Sequence, residues 1–297
     1  MDLTNSILSY RRFLKRRNYS GNTIRNYLNT LTHFLVWVRV PIEEVTPREI
    51  GHYIDFLLDK RLTAKTINCH LNSVRQFYGY LRTEGRLSSD NPVKEGRGLR
   101  MPQPLPKYLK DEEVEALLKV VPKLRDRAIF MLMLRSGLRV AEVAHLKFSA
   151  IDFRRGRILV HEGKGGKDRA VYISHDALRA LVEYLRVRPP GGVQHVFLVE
   201  KGTYRGQPLS VRGIQKRMEY YGRRARLKTS CHHLRHTMAT QILNAGAGLV
   251  TIQDLLGHRW IQSTQRYCKV SNVKVQQDYY KAMEKLLQAH EGKRDDG

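Results

Sequence analysis

From Ile24 the apolar positions Tyr27, Leu28, Leu31, Phe34, Leu35 and Val38 recur every three or four residues, the period of an amphipathic helix. Thr46-Pro47-Arg48-Glu49 reads as the start of another. Thr46 can cap, proline suits the first helical position, and Glu49 stands where a capping box needs its acid. Ile50, Tyr53, Ile54, Leu57 and Leu58 continue that helix, and Ile67, Leu71, Val74, Phe77, Tyr78 and Leu81 mark the last of four in residues 1–90. Asp90-Asn91-Pro92 and then Gly96, Gly98, Pro102, Pro104 and Pro106 interrupt the pattern, so 91–107 is expected to be an extended linker.

Beyond it the pattern is mixed. Acids at 111–113 open a helix through Val114, Leu117 and Leu118, and a second runs from Arg125 to Ser136-Gly137. Residues 151–153, 157–160 and 170–173 alternate as short strands joined by glycine-rich turns. Helical periodicity returns from Ser174, and an amphipathic helix is expected over 276–288. The predicted fold class is mainly α with a small antiparallel β-sheet in the C-terminal domain, an α+β arrangement. The predicted domains are 1–90 and 108–297.

Charge narrows what such a protein meets. The formal net charge is +25, with +8 over residues 1–106 and +17 over 107–297. Two basic halves call for one polyanion, and nucleic acid fits better than a membrane surface. No apolar run reaches the length of a membrane span, and Met1-Asp2-Leu3-Thr4 lacks the basic-then-apolar pattern of a signal peptide. Three cysteines, Cys69, Cys231 and Cys268, do not suggest a disulfide framework. A cytoplasmic, nucleoid-associated protein is therefore expected. Arg25, Lys65 and Arg75, on the solvent faces of the first helices, are candidates for DNA contact; an ordinary solvated surface is the plain alternative.

The chemistry is narrowed by what the sequence lacks. The acids are outnumbered and scattered, and no Asp-x-Asp pattern offers the clustered carboxylates of a two-metal nuclease. Gly163-Lys164-Gly165-Gly166-Lys167 has neither the spacing nor the Ser/Thr of a phosphate-binding loop. His232 and His236 are four apart, but Cys231 and Cys268 belong to no Cys-x-x-Cys pair, so structural zinc is disfavoured and neither metal nor cofactor is expected. Metal-free phosphoryl transfer needs paired arginines on the non-bridging oxygens, a side-chain oxygen to attack, and a lysine or histidine to protonate the leaving oxygen. Arg139 beyond a glycine turn, His232-x-x-Arg235 on one helix face, His258 after Gly257, and Tyr267 can supply these groups.

Taken in order, Arg139, Lys164 between two strands, His232-x-x-Arg235, His258 and Tyr267 resemble the tyrosine recombinase and phage integrase family, its Xer-like members in particular. Thr251-Ile252-Gln253-Asp254-Leu255-Leu256-Gly257-His258 is especially similar to that family. The resemblance implies a two-domain DNA clamp that cleaves and rejoins duplex DNA through a 3′-phosphotyrosyl link. Tyr267 would be the nucleophile and Arg139 and Arg235 the phosphate clamp. Lys164, with Lys167 as its rival, would be the acid. His232 would handle the tyrosine proton, His258 would bond the phosphate, and Glu142 and Asp168 would support them. It further implies a double-stranded recombination site as partner, a homotetramer on two sites coupled by the C-terminal helix, and room for a second recombinase beside it. Ser136 where threonine is common, Arg259-Trp260 after His258, and Cys268-Lys269 after Tyr267 depart from the usual pattern. A type IB topoisomerase-like nicking and closing enzyme and a non-catalytic DNA-binding regulator are the alternatives.

Overall fold

The computed structural model describes residues 3–96, 98–102, 106–161, 168–258, 260–268, 279–280 and 283–284. The chain divides into two compact units, Met1–Gln103 and Pro104–Gly297.

The first unit holds four helices, α1 (Leu3–Arg16), α2 (Gly21–Trp37), α3 (Pro47–Asp59) and α4 (Ala64–Thr83). Three of them begin where a side-chain oxygen caps the first turn. Ser20 accepts from the amide of Thr23, Thr63 from Thr66, and Thr46 closes the expected capping box with Glu49. The apolar stripes meet in one core containing Tyr10, Phe34, Ile50, Tyr53, Ile67 and Phe77. Of the expected linker 91–107, residues 91–96 and 98–102 are held to this unit. Val93 is buried in its core, Asn68 exchanges hydrogen bonds with the backbone of Leu99, and Arg75 donates to the carbonyls of Val93 and Lys94. Proline and glycine set an irregular backbone here without preventing it from packing.

The second unit contains α5 (Asp111–Lys119), α6 (Leu124–Ser136), α7 (Val140–Ala144), strands β1 (Ile151–Asp152), β2 (Arg157–Val160) and β3 (Arg169–Tyr172), then α8 (His175–Val187), α9 (Val211–Arg224), α10 (Cys231–Asn244), α11 (Leu249–Leu256) and α12 (Gln262–Cys268). The strands form an antiparallel sheet in the order β1-β2-β3, with Ile158 opposite Val171 and Val160 opposite Arg169. Ile158, Val160 and Val171 face the core, whereas Leu159 and Tyr172 face out. Helix α6 is buried on nearly every side and packs against α8 and α10. Its charged start is buried too. Asp126 accepts from Arg125, from Arg217 at 2.7 Å and from the hydroxyl of Tyr221 at 3.1 Å, tying α6 to α9.

A smaller core of Met238, Ala239, Leu243, Ile252, Leu256 and Tyr267 lies under α10, α11 and α12. Gly137 ends α6 in the left-handed region at φ 63°, and a Cβ there would come within 3.2 Å of both Leu256 and Met238. That glycine therefore serves the turn and the close approach of α6 to the smaller core.

Candidate active site

Three helix ends and one strand converge on the last turn of α11. Gly257 caps that helix in the left-handed region, leaving the carbonyls of residues 255–257 without helical partners. Arginines take them. Arg139, the N-cap of α7, donates to the carbonyls of Leu256 at 3.2 Å and Gly257 at 3.3 Å. Arg235, on α10, is 2 % exposed and donates to the carbonyls of Gly137 and Leu256. Arg169, at the start of β3, donates to the carbonyl of Leu255 at 3.0 Å. Cations at the negative end of a helix dipole are favourable, and here they replace the solvent that the carbonyls lose.

Glu142 balances part of this charge. Its carboxylate takes the amide and guanidinium of Arg139 at 2.7 and 2.8 Å and a two-pronged contact from Arg169 at 2.9 and 2.7 Å. Burial works to raise its pKa, but the bonds from Arg169 and Arg139 outweigh burial and bring it down to about 2. Burial, with Arg139 alongside, lowers Arg235 to about 9, which leaves it a cation at neutral pH.

Tyr267, on α12, is 1 % exposed. Its hydroxyl lies 2.7 Å from Nδ1 of His236, and its ring stacks on His258 with the planes 5° apart. Burial raises its pKa, opposed by the nearby charges of Arg235, Arg266 and Arg139. His236 is brought down to about 3 and His258 to about 4, in both cases first by burial and then by neighbouring positive groups. Both imidazoles are neutral at neutral pH. With His236 protonated on Nε2, the Tyr267 hydroxyl donates to Nδ1. His258 is half-buried rather than fully presented, and its Nδ1 is 3.0 Å from the hydroxyl of Thr264. His232 is exposed in the first turn of α10, with its ring 4.2 Å from that of His236.

Arg139, Arg235, His232, His258 and Tyr267 thus come together, and Glu142 stands between two of the arginines. Lys164 and Lys167 lie outside the described residues. Asp168 is apart from this group, 3.1 Å from His161 and well exposed. Among the first-unit candidates, Arg25 and Lys65 are exposed, while the guanidinium of Arg75 is committed to backbone carbonyls. Among the described residues no three His, Cys, Asp or Glu side chains are grouped to hold a metal ion, and His236 faces Tyr267.

Two residues were not singled out for this site from the sequence. His236 entered only as a zinc partner, although its helical spacing from His232 puts both on one face. Arg169 gave one signal, a charged residue at the start of a very short strand.

The chain is similar to known proteins along most of its length. Residues 107–274 match the phage integrase family, and residues 7–84 match the phage integrase N-terminal SAM-like domain. Tyrosine recombinase XerA of Pyrococcus furiosus is 34% identical over 261 residues, 87% of this chain and 87% of that protein. Tyrosine recombinase XerC of Myxococcus xanthus is 35% identical, over 88% of this chain and 91% of its own length. A crystal structure of XerA recombinase superposes with a TM-score of 0.54 at 26% identity, covering 94% of this chain and 98% of that one. A lambda integrase dimer bound to a COC′ core site gives a TM-score of 0.74 at 20% identity, covering 90% and 95%, a likeness of fold.

Proposed function

This chain belongs to the phage integrase family and is a site-specific tyrosine recombinase of DNA, and we propose that Tyr267 is its nucleophile. The reading rests on one observation above the others: Tyr267 is packed against His258 and His236, within the field of Arg235 and Arg139. The tyrosine oxygen attacks a backbone phosphorus and forms a 3′-phosphotyrosyl ester, and the 5′-oxygen leaves. The guanidiniums of Arg139 and Arg235 hold the non-bridging oxygens, His258 donates a hydrogen bond to the phosphate, and Lys164 protonates the leaving 5′-oxygen. His232 is kept as the group that handles the tyrosine proton, with His236, already on the hydroxyl, next to it. Rejoining reverses these steps, and the ester conserves the bond energy.

In the described state the hydroxyl is buried and both arginines face carbonyls. Cleavage therefore requires α12 to turn the tyrosine outward while phosphate takes over the arginines. The topoisomerase-like and regulator alternatives are disfavoured by the likeness to tyrosine recombinases along most of the chain. Tyr267→Phe removes only the hydroxyl. On a nicked site in excess chelator, the wild type should form a covalent protein–DNA adduct and the Phe variant none, with DNA affinity within about twofold of wild type because the phosphate contacts remain. An adduct from the Phe variant would overturn the assignment, and loss of wild-type cleavage in chelator would restore a metal.

We also infer a cytoplasmic site of action on the chromosome, a duplex recombination site that both basic units contact, and a homotetramer on two sites, with room for a second recombinase beside it. No helix among the described residues is long and apolar enough to cross a membrane. The helix expected over 276–288 lies largely outside the described residues; Tyr279 and Tyr280 are exposed. An apolar stripe beyond the nucleophile has to be buried somewhere, and a neighbouring protomer is the proposed place. Deleting residues from Gln276 onward should spare single-site gel shifts and abolish recombination of a two-site plasmid. Undiminished recombination by the truncated protein would exclude that coupling.

A further inference from the structure

Three arginines grip the end of α11, but they are not equivalent. Arg139 and Arg235 are the pair assigned to phosphate, and each must release or share the carbonyl it holds when DNA arrives. Arg139 bonds the carbonyls of Leu256 and Gly257 at 3.2 and 3.3 Å, and Arg235 bonds that of Leu256. When they turn to phosphate, the last turn of α11 loses these two sets of bonds, and His258 is the very next residue after its cap.

Arg169 is committed differently. Its two terminal nitrogens meet both oxygens of Glu142 at 2.9 and 2.7 Å, its Nε holds the carbonyl of Leu255 at 3.0 Å, and its side chain is only 8% exposed. It starts β3, opposite Val160 in the sheet, so its backbone is fixed by the strand ladder. The chain at Gly257 lies flat against it: a Cβ on Gly257 would come within 2.9 Å of the Arg169 Cδ and 3.3 Å of its Nε. That contact explains a glycine at this cap beyond its φ of +59°.

We propose that Arg169 is a positioning residue for His258. With Glu142, it anchors the end of α11 to the sheet while Arg139 and Arg235 are exchanged from carbonyl to phosphate. Three in-plane bonds from one rigid fork define the position of the Leu255 carbonyl relative to Glu142. A lysine has the charge but not the fork. This inference rests on the roles assigned above to Arg139, Arg235 and His258.

The test is single-turnover cleavage by the full-length protein on a nicked site, with DNA affinity and melting temperature measured in parallel. Arg169→Lys should slow cleavage by about 10- to 100-fold, the cost of a misplacement near one ångström, with DNA affinity within about twofold. A general loosening of the fold would give the same slowing, so the deciding readout is a double-mutant cycle with His258→Asn. If Arg169 acts through His258, Arg169→Lys should slow the His258→Asn enzyme by no more than about threefold, because coupled residues are not additive. Full additivity, or an unslowed Arg169→Lys enzyme, overturns the proposal. If Arg169→Lys does not fold, Arg169→Gln, which keeps a planar donor but loses the two-pronged contact with Glu142, replaces it in the same cycle with His258→Asn. An unslowed His258→Asn enzyme would instead overturn the assignment of His258, which separates failure of the site reading from failure of the anchor.

Discussion

Two imidazoles packed on Tyr267 are held neutral, and that makes the smaller core sensitive to acid. His236 and His258 titrate in the folded protein near 3 and 4, well below the ordinary histidine value, because burial and surrounding cations penalise the charged form. Their unfolded-state pKa is about 6.5, so the unfolded chain binds protons first as pH falls. Stability from these sites is complete above about pH 6.5 and declines below it, until the folded forms also protonate. At pH 5 the loss should be on the order of 1–2 kcal/mol per histidine. Melting followed between pH 7 and 5 should show this decline, and His236→Asn, which keeps a hydrogen-bonding group near Tyr267 but does not titrate, should show less of it. An equal decline in the variant would mean that His236 is not buried in its neutral form. Arg139, Arg235, His232, His258 and Tyr267 were legible in the sequence because their chemistry is reactive and their order is shared with a family. Arg169 and His236 acquire their meaning from contacts 27 and 31 residues away along the chain, which no local spacing encodes.

Helix α6 shows how far an element can be read from its pattern. The run from Arg125 to Ser136 predicts a helix, but nearly all its side chains are buried, so its apolar positions carry no clear face and did not say what covers it. Nor did the pattern suggest that Arg125 and Asp126 would be buried. Asp126 is fully buried and satisfied by Arg125, Arg217 and Tyr221, with the Arg217 guanidinium also stacked 4.7 Å from the Tyr221 ring centre. Asp126→Ala leaves the buried Arg125 with Glu200 at 3.6 Å and the Leu198 carbonyl at 3.1 Å, and should cost about 2–4 kcal/mol in urea unfolding, somewhat below the penalty for leaving a buried charge with no partner. A loss under about 1 kcal/mol would show that the arginines find solvent or other acceptors without moving α9 from α6. The reverse case lies in 91–107. Its proline and glycine content predicted an extended linker and said nothing of packing, yet Asn68, Arg75 and Asn91 tie residues 91, 93, 94 and 99 to α4. Composition reports backbone irregularity, and packing depends on partners that composition does not name.

Both units carry positive charge, +8 over residues 1–106 and +17 over 107–297, so the affinity of the whole molecule for DNA should come mainly from phosphate contacts. Each phosphate neutralised releases condensed counterions, and the log of the binding constant should fall with the log of salt concentration by about 0.9 per contact. The structure distinguishes the first-unit candidates. Arg25 and Lys65 are exposed, and Arg25 donates to Asn22 in a long 3.4 Å contact, so either can reach a phosphate at little cost. The Arg75 guanidinium holds Val93 at 3.0 Å and Lys94 at 2.8 Å, so contact with DNA would compete with the packing of 91–102. Arg25→Ala and Lys65→Ala should each weaken binding similarly across DNA sequences and lower the salt slope by about 0.9, with melting unchanged. Arg75→Ala should lower the melting temperature and leave the slope nearly as it was. Titrations of the three variants at several salt concentrations, beside their thermal unfolding, separate the two classes. A slope reduced by Arg75→Ala with no loss of stability would move Arg75 to the DNA-contacting group, and unchanged slopes for Arg25→Ala and Lys65→Ala would place the duplex on another face of the first unit.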